Sequence, residues 1–312
     1  MRDDPISLLE RELVEAAKRR VQPAGSATAR GRRSSLGAFA AVVLSGVAVA
    51  VACMPEQRRN SRAFLRAALR RRPTIVDVWR HFNSCALLLI LKLRVARGVP
   101  HRGRIDPAHA GGFDALMATG QQAFFGTFHF GQSDLLGYLL GQHFRRQVFM
   151  VRLKMGNAAE TAQLGKLFGQ WITFIWVTEP ENMLFALKDA VASGGSLAMQ
   201  CDRIEFTSKT EYFEFLGARR LFPFTIYHLA VLFERPVIFC FGLPGAATDE
   251  TVLHSSPTFV PDRSLGKAVN LKRAHEHFQA VLSHLEGLVR QYPQLWLNYL
   301  PLNPEAPPST ET

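Results

Sequence analysis

The chain has 312 residues, is 47% hydrophobic and carries a formal charge of +11, which is length and apolar content enough for one large domain with a full core. The charge is lopsided: residues 1–104 hold 21 Lys/Arg against 7 Asp/Glu, and the remainder holds 16 against 19. A basic front on a near-neutral body points to an anionic docking surface. No nucleic-acid motif accompanies it and the arginines lie beside apolar stretches, so nucleic acid is not an expected partner.

In chain order, residues 1–34 form a basic extension. An amphipathic helix is expected over 6–20, with Ile6, Leu9, Leu13 and Ala17 on one side, followed by a Pro/Gly/Ser/Arg-rich linker at 22–34. Residues 35–54 contain no charge. About 20 such residues reach the length needed to span a bilayer, and the run is expected to be a membrane helix or a deeply embedded interfacial one. Its composition is only moderately hydrophobic, and arginines on both sides leave its orientation open. Next, Arg62, Arg66 and Arg70 recur one helical turn apart, with Phe64, Leu65, Ala68 and Leu69 on another face. Such a basic amphipathic helix is suited to lie on an anionic interface with its apolar face down. Pro73 opens a long helix to about Arg97, which closes a membrane-associated region over 35–104.

Strands and helices then alternate: strand 121–128, helix 133–143, strand 147–152, helix 157–169, strand 172–177, helix 181–193 and strand 196–201. A hairpin-like segment near 211–215, a helix at 223–233, a strand at 236–242 and a long helix at 267–291 follow. This alternation predicts an α/β domain over 105–300, with a mostly parallel central sheet flanked by helices. The tail 301–312 is expected to be disordered. Cys53, Cys85, Cys201 and Cys240 are far apart and form no Cys-x-x-Cys pair, so they read as small hydrophobes in a reduced compartment. Of His275, His277 and His284, the last two share a helix face without a convincing third ligand, and no metal is expected there.

The chemistry concentrates where the apolar strand 121–128 meets His129-Phe-Gly-Gln-Ser-Asp134. A histidine and a carboxylate at a strand-to-helix turn can form a base and its orienting partner, because a carboxylate on one ring nitrogen raises the basicity of the other. The structural alternative is a satisfied histidine beside a helix N-cap, with Ser133 or Asp134 as the cap. Arg152 ends one strand and is a candidate phosphate binder, with an ordinary ion pair as the alternative. Asp202 and Arg203 end another strand, on the side where α/β sites gather. Gly131-Gln-Ser133-Asp-Leu135 has the outline of a nucleophile elbow, but leucine stands where the second glycine belongs. A Ser133 hydrolase is the lesser alternative.

The same residues resemble the His-x4-Asp/Glu motif of the bacterial lysophospholipid and lipid A (late) acyltransferases, including versions from glycolipid and aryl-polyene pathways. The resemblance runs in order through Pro55-Glu-Gln-Arg-Arg-Asn-Ser-Arg62, Arg80-His81-Phe82, Val151-Arg152 with Asn157, Gly194 to Asp202-Arg203, Phe213-Glu-Phe-Leu-Gly217 and Trp296-Leu-Asn298-Tyr299. It departs at Leu221-Phe-Pro223-Phe-Thr225, where the family's glycine turn is missing. The resemblance implies a glycerolipid-acyltransferase-like fold and an O-acyltransferase with His129 and Asp134 catalytic. Arg152, Asn157, Asp202 and Arg203 would bind substrate. It further implies no bound cofactor, an acyl-carrier-protein or acyl-CoA thioester as donor, and a lipid or glycolipid as acceptor. The expected partners are acyl carrier protein and anionic membrane lipid, at the cytoplasmic face of a bacterial inner membrane. A thioesterase using the same pair on water, and a silent lipid-binding protein, are the alternatives.

Overall fold

The eight residues Val237–Pro244 form one strand, and seven of the eight residues are buried, a run that only a strand covered on both faces can bury. In this computed structural model, which describes residues 46–49, 51–96, 98–137, 146–152, 172–176 and 180–307, that strand (β8) lies inside a seven-stranded sheet. The other members are β1 (Arg102–Ile105), β2 (Phe124–Thr127), β3 (Val148–Arg152), β4 (Ile172–Trp176), β5 (Ser196–Gln200) and β9 (Glu250–Ser255), in the order β1-β9-β8-β2-β5-β3-β4. Every neighbouring pair is parallel except β8 with β9, which are antiparallel. The expected α/β architecture with a mostly parallel sheet is therefore present. Strands β6 (Thr210–Phe215) and β7 (Ala218–Pro223) form a separate antiparallel hairpin.

Alternation along the strands sends side chains to two cores. Phe124, Phe128, Phe239 and Phe241 face a large one, and Phe125, Ile238, Cys240 and Leu253 a smaller one with Phe113, Leu116 and Met117. The last three come from the short helix α3 (Phe113–Ala118); α4 (Pro180–Ala192) packs against β4 and β5. The large core is roofed by α5 (Thr225–Phe233) and α6 (Lys267–Gln291). Helix α6 buries Ala274, Phe278, Val281, Leu282, Leu285, Leu288 and Val289, the spacing of a single helical stripe. Phe278 stacks below Phe128 and Phe239, with ring centroids 6.3 and 5.3 Å away.

Two further helices, α1 (Pro55–Leu69) and α2 (Ile75–Ala96), precede the sheet. Phe64, Leu65 and Ala68 of α1 are buried in the protein's own core, and the Phe64 ring stacks on Trp296 at 5.4 Å. This corrects the expectation that this apolar face lies on a membrane. The face is already covered, because the C-terminal segment supplies a partner aromatic that periodicity alone does not reveal. Arg59, Arg62, Arg66 and Arg70 remain exposed on the opposite side. Among the described residues no helix is long and apolar enough to cross a membrane. The uncharged run 35–54 falls mostly outside the described residues, as do the helix at 6–20, the linker at 22–34 and the helix at 157–169. Of the expected helix 133–143, a single 3-10 turn, Ser133–Leu135, and the two residues after it are described. The tail is ordered further than expected: Leu221 N–H donates to Pro304 O and Ala306 N–H to Arg219 O, so residues 304–306 lie along β7.

Candidate active site

Strands β2 and β5 run parallel and end together, with Thr127 opposite Gln200. The residues just beyond them, His129 and Asp202, meet at this C-terminal edge, the usual place for a site in a parallel sheet. Cys201 N–H donates to Thr127 O at 2.8 Å, which continues the register into the site. His129 Nδ1 lies 2.8 and 3.0 Å from the two Asp202 carboxylate oxygens, and the His129 backbone N–H donates to Oδ2 at 3.3 Å. The Asp202 side chain is fully buried, whereas the His129 ring keeps 19% of its surface exposed. With Nδ1–H donating to the carboxylate, Nε2 carries the lone pair. Among the described residues Nε2 has no hydrogen-bond partner.

Burial on its own would raise the Asp202 carboxyl. The attraction of the His129 ring in its protonated form and its hydrogen bond, with a smaller contribution from Arg203 and the His129 amide, outweigh it and hold the carboxyl below its ordinary value. Asn298 Nδ2 donates to Asp202 Oδ2 at 3.1 Å, and Asn303 Nδ2 donates to the Asp202 carbonyl at 3.2 Å. The carboxylate is thus fixed from three sides, which sets the ring orientation of His129. Arg203 follows immediately; its Nε is buried and has no hydrogen-bond partner among the described residues.

The loop carrying His129 is held by its backbone. Leu297 N–H donates to His129 O at 2.6 Å, Gly131 N–H to Leu295 O at 2.7 Å and Gln132 N–H to Gly242 O at 2.7 Å. Gly131 has φ +60°, and a Cβ there would come within 2.0 Å of the Gly242 carbonyl oxygen. Only glycine combines this left-handed backbone with so close an approach. The C-terminal segment is anchored in turn by His81 of α2, which is fully buried. Trp296 O accepts its Nε2–H, and its Nδ1 accepts the Ser61 hydroxyl at 2.8 Å. Tyr299 stacks on the His81 ring at 4.6 Å and donates to the His81 carbonyl at 2.8 Å.

The sequence-predicted residues are distributed as follows. His129, Asp202 and Arg203 come together. Asp134 lies in the 3-10 turn Ser133–Leu135, and its side chain is outside the described residues; the carboxylate on Nδ1 is that of Asp202, 73 residues downstream. Arg152 ends β3, at the same edge of the sheet as Thr127 and Gln200, with its side chain outside the described residues. Asn157 is itself outside them. Ser133 is buried and donates its hydroxyl to Phe130 O at 2.6 Å, so it is not presented to His129 as a nucleophile. His277 binds the Tyr227 hydroxyl and the Pro257 carbonyl, an ordinary structural role. Three contributors were missed, Asn298, Asn303 and His81, because nothing local marks a residue that acts through contacts more than 90 positions away.

A small apolar cleft of about 30 Å3 has Thr127, Leu136, Val151, Met199 and Gln200 among its lining residues, and neither His129 nor Asp202 lines it. The chain matches the profile of no known protein family and no curated protein.

Proposed function

We propose that the protein is a membrane-associated O-acyltransferase of the lysophospholipid and lipid A type, which moves a fatty acyl group from a thioester to a hydroxyl. One observation carries this reading: a partly exposed histidine whose Nδ1 is held by a fully buried carboxylate, leaving Nε2 as an available base. In the reaction, Nε2 takes the proton of the acceptor hydroxyl as its oxygen attacks the thioester carbonyl. The tetrahedral oxyanion collapses, the C–S bond breaks, and the imidazolium returns the proton to the departing thiolate. Asp202 stays ionised and stabilises the imidazolium. The acyl group passes directly between substrates, so no serine or cysteine of the chain is acylated.

Two features support the substrate class. Arg203, with its unpartnered buried Nε, and Arg152, whose backbone ends β3 at the same edge of the sheet, are the candidates for holding a phosphate on donor or acceptor. The exposed arginines of α1 fit an anionic lipid surface or an acidic carrier protein. The cytoplasmic face of an inner membrane is the compartment in which such a donor and acceptor meet.

The test mixes the full chain with a labelled acyl-carrier-protein thioester and lipid vesicles containing candidate hydroxyl acceptors, with His129→Ala in parallel. Labelled lipid formed by the wild type alone is the expected result. Label released only as free fatty acid would assign a thioesterase instead, and no His129-dependent product would overturn the reading.

A further inference from the structure

A second cluster of ionisable side chains lies two strands away from β2, where β1 and β9 meet α6. Asp106 follows β1, His109 sits one turn later in the 3-10 helix Pro107–His109, and His254 comes from β9. One carboxylate oxygen of Asp106, Oδ2, lies 3.1 Å from His109 Nδ1 and 3.2 Å from His254 Nε2. All three potential ligand atoms lie within 4.8 Å of one another. Tetrahedral zinc, with bonds of about 2.0–2.1 Å, places its ligand atoms about 3.3 Å apart. The two distances from Asp106 Oδ2 are already close to that. A third imidazole is adjacent: the His284 ring lies 5.7 Å from that of His109 and 6.1 Å from that of His254, and its Nε2 is buried without a hydrogen-bond partner among the described residues.

We propose that Asp106, His109 and His254 bind a zinc ion, with His284 beside the fourth position. Two imidazoles and one carboxylate are a donor set suited to zinc. One rearrangement is needed. The His109 and His254 rings stack face to face at 4.2 Å with 4° between planes, so their in-plane lone pairs run side by side rather than converging. The His109 side chain is 44% exposed and has room to turn towards the shared ion, whereas His254 is held at 10%. The ion would tie the β1–β9 edge of the sheet to the turn after β1, a structural role separate from the His129 site.

The test uses the tag-free full chain and Zn2+ alone, titrated against a chromogenic chelator, with Co2+ absorption as a second readout of tetrahedral coordination. Asp106→Asn keeps the cap on Ala108 N–H and should leave the fold intact. His109→Ala removes an exposed ring. Even outer-shell partners cost 10- to 100-fold in metal affinity, so loss of a ligand should weaken binding by about 100-fold or more. One Zn2+ per wild-type chain, lost in both variants and retained in His275→Ala, is the expected result. Equal binding by all four proteins, or none by the wild type, would overturn the proposal. Acyl transfer plays no part in this test, so its outcome is independent of the function proposed for His129.

Discussion

Acidification should loosen the protein in part through one fully buried group, His81. Its imidazole is fully enclosed, and burial pulls its pKa from 6.5 to about 4, against a weaker opposing effect of the Trp296 carbonyl. The folded state therefore binds fewer protons than the unfolded state between those two values. Stability from this group is present above pH 6.5 and is lost as pH falls towards 4. A tenfold change in a protonation equilibrium is worth about 1.4 kcal/mol, so the loss between pH 7 and pH 4 is about 3 kcal/mol, with roughly two thirds of it complete by pH 5. Carboxylates also destabilise the fold in acid, so the comparison that isolates His81 is with His81→Gln. That variant keeps a donor for Trp296 O and an acceptor for the Ser61 hydroxyl but cannot titrate. Urea unfolding of both proteins at several pH values gives the difference in stability as a curve. The wild type should lose about 3 kcal/mol relative to the variant between pH 7 and pH 4. Parallel curves would refute the reasoning.

Asp202→Asn should preserve the fold but reverse the ring tautomer of His129. Such a change in an Asp–His pair costs on the order of 10^4 in kcat, measured as transfer from the thioester at saturating acceptor. Asn298→Ala removes a buried donor from Asp202 Oδ2 and should destabilise by about 1–3 kcal/mol, with kcat reduced more than KM changes. In Gly131→Ala the added methyl meets the Gly242 carbonyl in a left-handed backbone, so a loss of about 2 kcal/mol or more is expected by urea unfolding.

Much of the scaffold was legible because buried parallel strands are short apolar runs and amphipathic helices have period 3.6. The stretches 147–152, 172–177, 196–201 and 267–291 agree with β3, β4, β5 and α6 to within a residue or so. The strands that went unseen, β1 and β9, are edge or near-edge elements. β1 reads Arg-Gly-Arg-Ile with alternate exposure, and β9 begins and ends in polar residues, so neither carries an apolar run. Asp202 and Arg203 were recognisable as a strand end facing the site. Their pairing with His129 was not, because parallel strands bring together residues far apart in sequence, and the nearer carboxylate at Asp134 is the natural partner in a linear reading. The apolar face of α1 shows the same limit. Periodicity marks a face that must be covered, and the cover, Trp296, lies more than 200 residues away.

The claim on which the account stands is that Asp202 holds His129 with Nε2 as the free base. Nitrogen-15 chemical shifts of histidine-labelled protein test it directly, with the His129 signals assigned by their loss in His129→Gln. At neutral pH Nδ1 should be protonated and Nε2 unprotonated, with the preference lost in Asp202→Asn. A His129 protonated at Nε2, or a tautomer unchanged by Asp202→Asn, would contradict it.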